Sequence, residues 1–212
     1  MKRIYCISGL GADERAFEKL SVNGAEIVPV KWCPFDKHDD LQCYAQKMSS
    51  TIKEDKPIIL GLSFGGMLAT EISKMRETTK VFLVSSAKTS DELPESSGLL
   101  KFIVNTKILP DWLLTKPNNV MLDMLGAQTE DEKVLLSNII KDSDPALMKW
   151  ALKAILHWEN DTYPPIITHI HGTADKVIPP ENVSANHWID DGQHMMIYSR
   201  GAEISAIIEK YI

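Results

Sequence analysis

Ser63 stands at the centre of Gly61-Leu62-Ser63-Phe64-Gly65, between the apolar run Pro57–Leu60 and a series Phe64, Met67, Leu68, Ile72 and Met75 near helical spacing. The first run reads as a strand buried on both faces and the second as a helix, so the serine falls on the turn joining them. A hydroxyl held on such a turn is exposed at the end of a sheet, and flanking glycines keep side chains from colliding across it. The chemistry this suits is nucleophilic acyl transfer. A Gly-rich turn cradling a phosphate at a helix N-terminus is the competing use, but no Lys-Ser or Lys-Thr pair follows Gly66, as a P-loop would require.

A serine nucleophile needs an imidazole to take its proton and a carboxylate to fix that imidazole's tautomer. Six histidines compete for the first role. His169 lies inside the apolar run Pro165–Ile170, which makes it a core group. His171 is at that run's end, His38 is in a charged loop, His157 is in the helical stretch between Ser90 and Tyr163, and His187 is within the stretch Ser184–Ile189. His194 alone sits in a glycine-bearing loop, Asp190-Asp191-Gly192-Gln193-His194, after the last strand, and is the expected base. Asp175, a few residues beyond a buried strand and ahead of Pro179, is the expected acid. Asp91 is its rival, while Asp190 and Asp191 read as turn residues.

The oxyanion of acyl transfer needs preorganised N–H donors. The backbone N–H of Phe64, on the first helical turn, is one candidate. The second is expected from Ser8-Gly9-Leu10-Gly11, with the Leu10 N–H as the donor. His169, His171 and Asp175 also have metal-ligand types, but no further ligand stands at supporting spacing, and neither a metal nor a cofactor is expected.

These residues must be positioned by the elements around them. Ile4–Ile7 reads as a strand, Arg15–Leu20 as helix-like, Glu26–Val30 as a peripheral strand because Pro29 cannot donate to a ladder, and Leu41–Ile52 as a helix. Lys80–Ser85 and Pro165–Ile170 are further buried strands, Ser184–Ile189 is the last, and Gly201–Tyr211 is a closing helix. Alternation of this kind forms a parallel sheet covered on both faces, with functional groups at the strands' C-terminal ends. Between Ser90 and Tyr163 the pattern turns helical. Thr129-Glu130-Asp131-Glu132 forms a capping box and Asp144-Pro145 opens another helix. The many apolar residues there, among them Leu99, Leu100, Phe102, Trp112, Leu113, Met121, Met124, Trp150 and Leu156, suggest that some face a ligand cavity.

The 212 residues can bury a full core, and a net charge of −6 offers no basic stripe, which makes nucleic acid and anionic membranes poor partners. No eighteen apolar residues run together, and no membrane span or cleaved leader is expected. Three cysteines outside any C-x-x-C spacing fit free thiols, and the expected location is the cytoplasm.

Taken jointly, these segments resemble the α/β-hydrolase fold superfamily. Ser8–Gly11 resembles its oxyanion loop, Gly61–Gly66 its nucleophile elbow, His171-Gly172-Thr173-Ala174-Asp175-Lys176-Val177-Ile178-Pro179 its acid loop and Gly192–Met196 its histidine loop, in the chain order Ser, Asp, His. Many members have histidine where Ser8 stands, and the chain begins at what resembles the family's third strand. The resemblance implies a three-layer α/β fold with about six mainly parallel strands, a core from 1–89 and 164–212, and a helical cap from 90–163. It implies hydrolysis of a carboxylic ester or thioester with a small to medium apolar acyl group, by way of a Ser63 acyl-enzyme. Amidase, carbon–carbon hydrolase and lyase chemistry stay open, as does a non-catalytic small-molecule binder on the same scaffold. A flavodoxin-like nucleotide binder using the Ser8–Gly11 loop is the remaining alternative.

Overall fold

The computed structural model describes residues 1–94 and 114–212; Leu99, Leu100, Phe102, Trp112 and Leu113 lie outside the described residues. Six strands form one sheet: β1 (Lys2–Ile7), β2 (Ala25–Pro29), β3 (Ile58–Leu62), β4 (Lys80–Val84), β5 (Ile167–Gly172) and β6 (His187–Ile189). Their order is β2-β1-β3-β4-β5-β6, and every neighbouring pair is parallel. The proline-bearing β2 is an edge strand, where a missing N–H costs no ladder bond.

Strand side chains alternate between two cores. Tyr5, Ile7, Ile59, Val81 and Leu83 face one, and Ile4, Cys6, Ile58, Leu60, Phe82 and Val84 face the other. The first face is covered by α1 (Leu41–Thr51), α2 (Phe64–Met75) and α5 (Pro145–Leu156). The second is covered by α7 (Gly201–Glu209) and the short α6 (Met196–Ser199), with residues of α3 (Asn119–Leu125) and α4 (Glu130–Asp142). The result is three layers. The helix starts follow the expected signals: Asp40 accepts from Cys43 N–H to cap α1, Thr129 and Glu132 close the capping box of α4, and Asp144 caps α5 with Pro145 in its first turn.

Two expected elements differ. Arg15–Leu20 is no α-helix; only a 3-10 turn, Glu14–Phe17, forms there. The Asp13 side chain binds both the backbone and the guanidinium of Arg15, and the start of α7 presses against the carbonyl of Lys19, where a Cβ on Gly201 would come within 2.4 Å. The last strand is shorter than Ser184–Ile189, because Ser184 gives its N–H to Glu92 and its carbonyl to Lys88 instead of to a ladder. The described apolar residues between β4 and β5 are divided, with Met121 and Met124 half-buried. Trp150 stacks on Phe35, meets Tyr44 at a tilt and donates to the carbonyl of Asp39, while Leu156 is exposed.

Candidate active site

Ser63 joins β3 directly to α2 with φ 50° and ψ −122°, a conformation that L-residues rarely adopt. Close packing makes the flanking glycines necessary. A Cβ on Gly61 would lie 2.4 Å from the Gly65 carbonyl, and one on Gly65 would lie 2.2 Å from the carbonyl of Ile7. The turn is also pinned from β4's end. Ser63 N–H donates to Val84 O at 3.0 Å, and Ser86 Oγ donates to Ser63 O at 2.7 Å. Ser86 escaped the sequence reading because its relevance depends on the β3–β4 register.

The loop after β5 holds Asp175 with its carboxylate fully enclosed. Its Oδ1 accepts the N–H groups of Val177 (2.8 Å) and Ile178 (3.0 Å). The loop after β6 holds His194, also buried. His194 Nδ1 is 2.9 Å from Asp175 Oδ2, and its Nε2 is 2.9 Å from Ser63 Oγ. Burial pushes the Asp175 carboxyl up, but the charge and hydrogen bond of His194, with help from His171 and the Ile178 N–H, outweigh it and hold the group below its ordinary value. Asp175 therefore stays ionised beside the imidazole.

The Ser8–Ala12 loop runs alongside. A Cβ on Gly9 would come 3.2 Å from Ser63 Cβ. Ser8 Oγ donates to Ala12 O at 2.8 Å, Ala12 N–H to Gly9 O at 2.9 Å, and Trp32 Nε1 to Ala12 O at 3.1 Å, so the serine at position 8 closes the loop on itself. The Phe64 N–H is the first of α2, and no helix carbonyl precedes it to accept its bond. A cavity of about 50 Å³ opens over this point, lined by Leu10, Ser63, Leu125, Ile139, His194 and Met195 among others. Leu125 and Ile139 come from the helices between β4 and β5. The end of α3 is tied to the histidine loop by Met195 N–H on Leu125 O at 3.0 Å.

The rival residues lie elsewhere. Asp91, Asp190 and Asp191 are exposed, as are His38 and His157, and His187 pairs with the Tyr211 hydroxyl. His169 and His171 are buried behind the acid. His171 Nδ1 is 3.3 Å from His169 Nε2, and His171 Nε2 is 3.0 Å from Ile178 O and 3.6 Å from Asp175 Oδ2. Among the described residues, no group of three or more His, Cys, Asp or Glu is placed to hold a metal ion, and no helix is long and apolar enough to cross a membrane.

Several solved structures superpose over nearly the whole chain. An esterase from Exiguobacterium antarcticum does so with TM-score 0.75 and 16% identity, over 100% of this chain and 91% of that one. The enol-lactonase from Burkholderia xenovorans matches with TM-score 0.75 and 14% identity, over 99% and 90%. The RedJ thioesterase of the prodiginine pathway in Streptomyces coelicolor matches with TM-score 0.67 and 16% identity, over 100% and 90%. The chain has the α/β-hydrolase fold. No protein-family model and no curated protein matches its sequence. Within this fold the G-x-S-x-G turn and the loops that carry Asp175 and His194 converge at the strands' C-terminal ends.

Proposed function

We propose that this chain is a serine hydrolase acting on a carboxylic ester or thioester of a small to medium apolar acyl group. The observation that carries the reading is the unbroken series from Ser63 Oγ through His194 to a buried, ionised Asp175, with both links at 2.9 Å. Ser63 Oγ attacks the substrate carbonyl as His194 Nε2 takes its proton, and Asp175 holds the Nδ1 proton and stabilises the imidazolium. The N–H groups of Phe64 and Leu10 hold the tetrahedral oxyanion, each commonly worth about 3 kcal/mol in the transition state. Collapse expels the alcohol or thiol, which takes the proton from Nε2. Water then enters by the reverse path and releases the acid.

Residues 1–89 and 164–212 serve as the core in this reading, and 90–163 as a helical cap whose Leu125 and Ile139 wall the cavity. The three free cysteines fit a cytoplasmic setting. Similarity to an esterase, a lactonase and a thioesterase supports the reaction class.

The test pairs activity with labelling. Wild-type protein should hydrolyse p-nitrophenyl esters and take up one fluorophosphonate per chain at Ser63. Ser63→Ala should lose about 10⁴-fold or more in kcat while keeping its circular dichroism spectrum. Retained turnover in the purified variant would refute the nucleophile, and an inert wild type would favour a binding protein.

A further inference from the structure

A second, larger cavity of about 510 Å³ adjoins the one over Ser63, with Gly11, Ala12 and Ile139 shared between the two linings. Its volume is that of a small-molecule site, whereas the space directly above the serine holds little beyond the reacting bond. Trp32 and Phe35 line it. Trp32 is fixed by its bond to Ala12 O and by stacking on Phe64, the residue next to the nucleophile. Phe35 is fixed by stacking on Trp150. These are rigid aromatic surfaces, suited to a planar or bulky apolar group.

The charge of the lining has one sign. Asp13, Asp142 and Asp144 contribute to it, and no lysine or arginine does among the described residues. Arg15, behind the wall, bridges Asp13 and Asp142 and cancels one of the three charges. Asp144 is used by the Ala146 N–H as a helix cap, which leaves its charge in place.

We infer that this outer cavity receives one limb of the substrate, and that it selects a flat apolar limb that is cationic or uncharged and rejects an anionic one. The inference rests on the hydrolase reading and narrows it. Thioesters of nucleotide- or phosphopantetheine-bearing thiols carry their phosphates on the limb beyond sulfur and are poor substrates. Esters of small aromatic alcohols or acids, neutral or with an ammonium group, are good ones. Aromatic faces favour a cation further.

Three 3-arylpropanols decide the matter, alike except for trimethylammonium, tert-butyl or carboxylate at the far end of the ring. Calorimetric titration of the alcohols into wild-type and Ser63→Ala protein reads the cavity without the reaction, and hydrolysis of their acetates reads it with the reaction. The ammonium and tert-butyl alcohols should bind at least about tenfold more tightly than the carboxylate at low salt, as expected for a unit charge near two uncompensated ones. The gap should narrow in 0.5 M salt and in the Asp142→Asn, Asp144→Asn double variant. Asparagine also caps helices, so α5 keeps its start. Equal binding of all three, or the same gap in the double variant, overturns the inference even where the acetates are cleaved. The expected order of binding without cleavage or labelling of Ser63 keeps the cavity's preference for a cationic or uncharged aromatic group and removes the hydrolase reading, and with it the assignment of that group to a substrate limb.

Discussion

At the residue scale, the site depends on contacts too close to tolerate one extra carbon. Gly65→Ala would drive a methyl group to 2.2 Å from the Ile7 carbonyl, a backbone atom that cannot swing aside, so we expect loss of several kcal/mol or no folded protein. Gly24→Ala meets nothing within 4 Å and should cost only about 1 kcal/mol, for its φ of 76°. Urea unfolding of the two variants measures the contrast. Asp175→Asn keeps the shape of its loop but removes the charge that, in the proposed mechanism, holds the Nδ1 proton of His194. Turnover of p-nitrophenyl acetate should fall by about 10⁴-fold with little change in KM. The three chemical groups were legible because each occupies a recognisable position after a strand. Ser86 was not, since a serine after a strand has no signature until the adjacent strand's register shows that it reaches Ser63 O.

At the element scale, β5 carries the largest pH liability. His169 and His171 are buried side by side on it. Burial lowers the pKa of His169 first, and the nearby His171 and Lys88 add to this against weaker opposing effects of the Ser86 backbone and Asp175. Burial likewise lowers that of His171, against the pull of Asp175 and the Ile178 carbonyl, with His194 lowering it further. Both groups therefore bind protons more readily in the unfolded chain. Stability is full above the ordinary imidazole value of about 6.5 and falls below it, by up to about 1.4 kcal/mol per pH unit for each histidine. Asp175, with its carboxyl lowered, adds a further loss once the pH drops through the carboxylate range. Urea midpoints from pH 7.5 to 5 should show the decline, and His169→Gln should flatten it. Sequence showed the strands and the helix caps, because both are local: alternating or continuous apolar runs and side chains that bond three residues away. It overstated the 15–20 helix and the final strand, where Asp13, Gly201, Glu92 and Lys88 redirect the backbone through contacts distant in sequence.

At the scale of the whole molecule, the two stems of the segment between β4 and β5 are clasped by buried polar groups. Asn160 Nδ2 donates to Lys88 O at 2.7 Å, Ser90 N–H donates to Asn160 O at 2.8 Å, and Asn160 Oδ1 accepts from Lys74. Trp158 Nε1 and Lys74 both reach the buried Glu71, which ties the clasp to α2. Asn160→Ala would keep the main-chain bond from Ser90 but leave the buried Lys88 carbonyl unpaired and take one partner from Lys74, and should cost roughly 2–4 kcal/mol in urea unfolding. Ser63 and His194 are 131 residues apart, and β4 and β5, the strands that bring them within reach, are neighbours that must find each other across the whole intervening segment. During refolding from urea, the first four strands can pair and α2 can form before β5 arrives. Helical ellipticity should then recover ahead of the capacity of Ser63 to be phosphonylated. A stopped-flow trace with a quenched labelling series would reveal an interval in which the chain is folded to the eye of the spectrometer yet chemically silent.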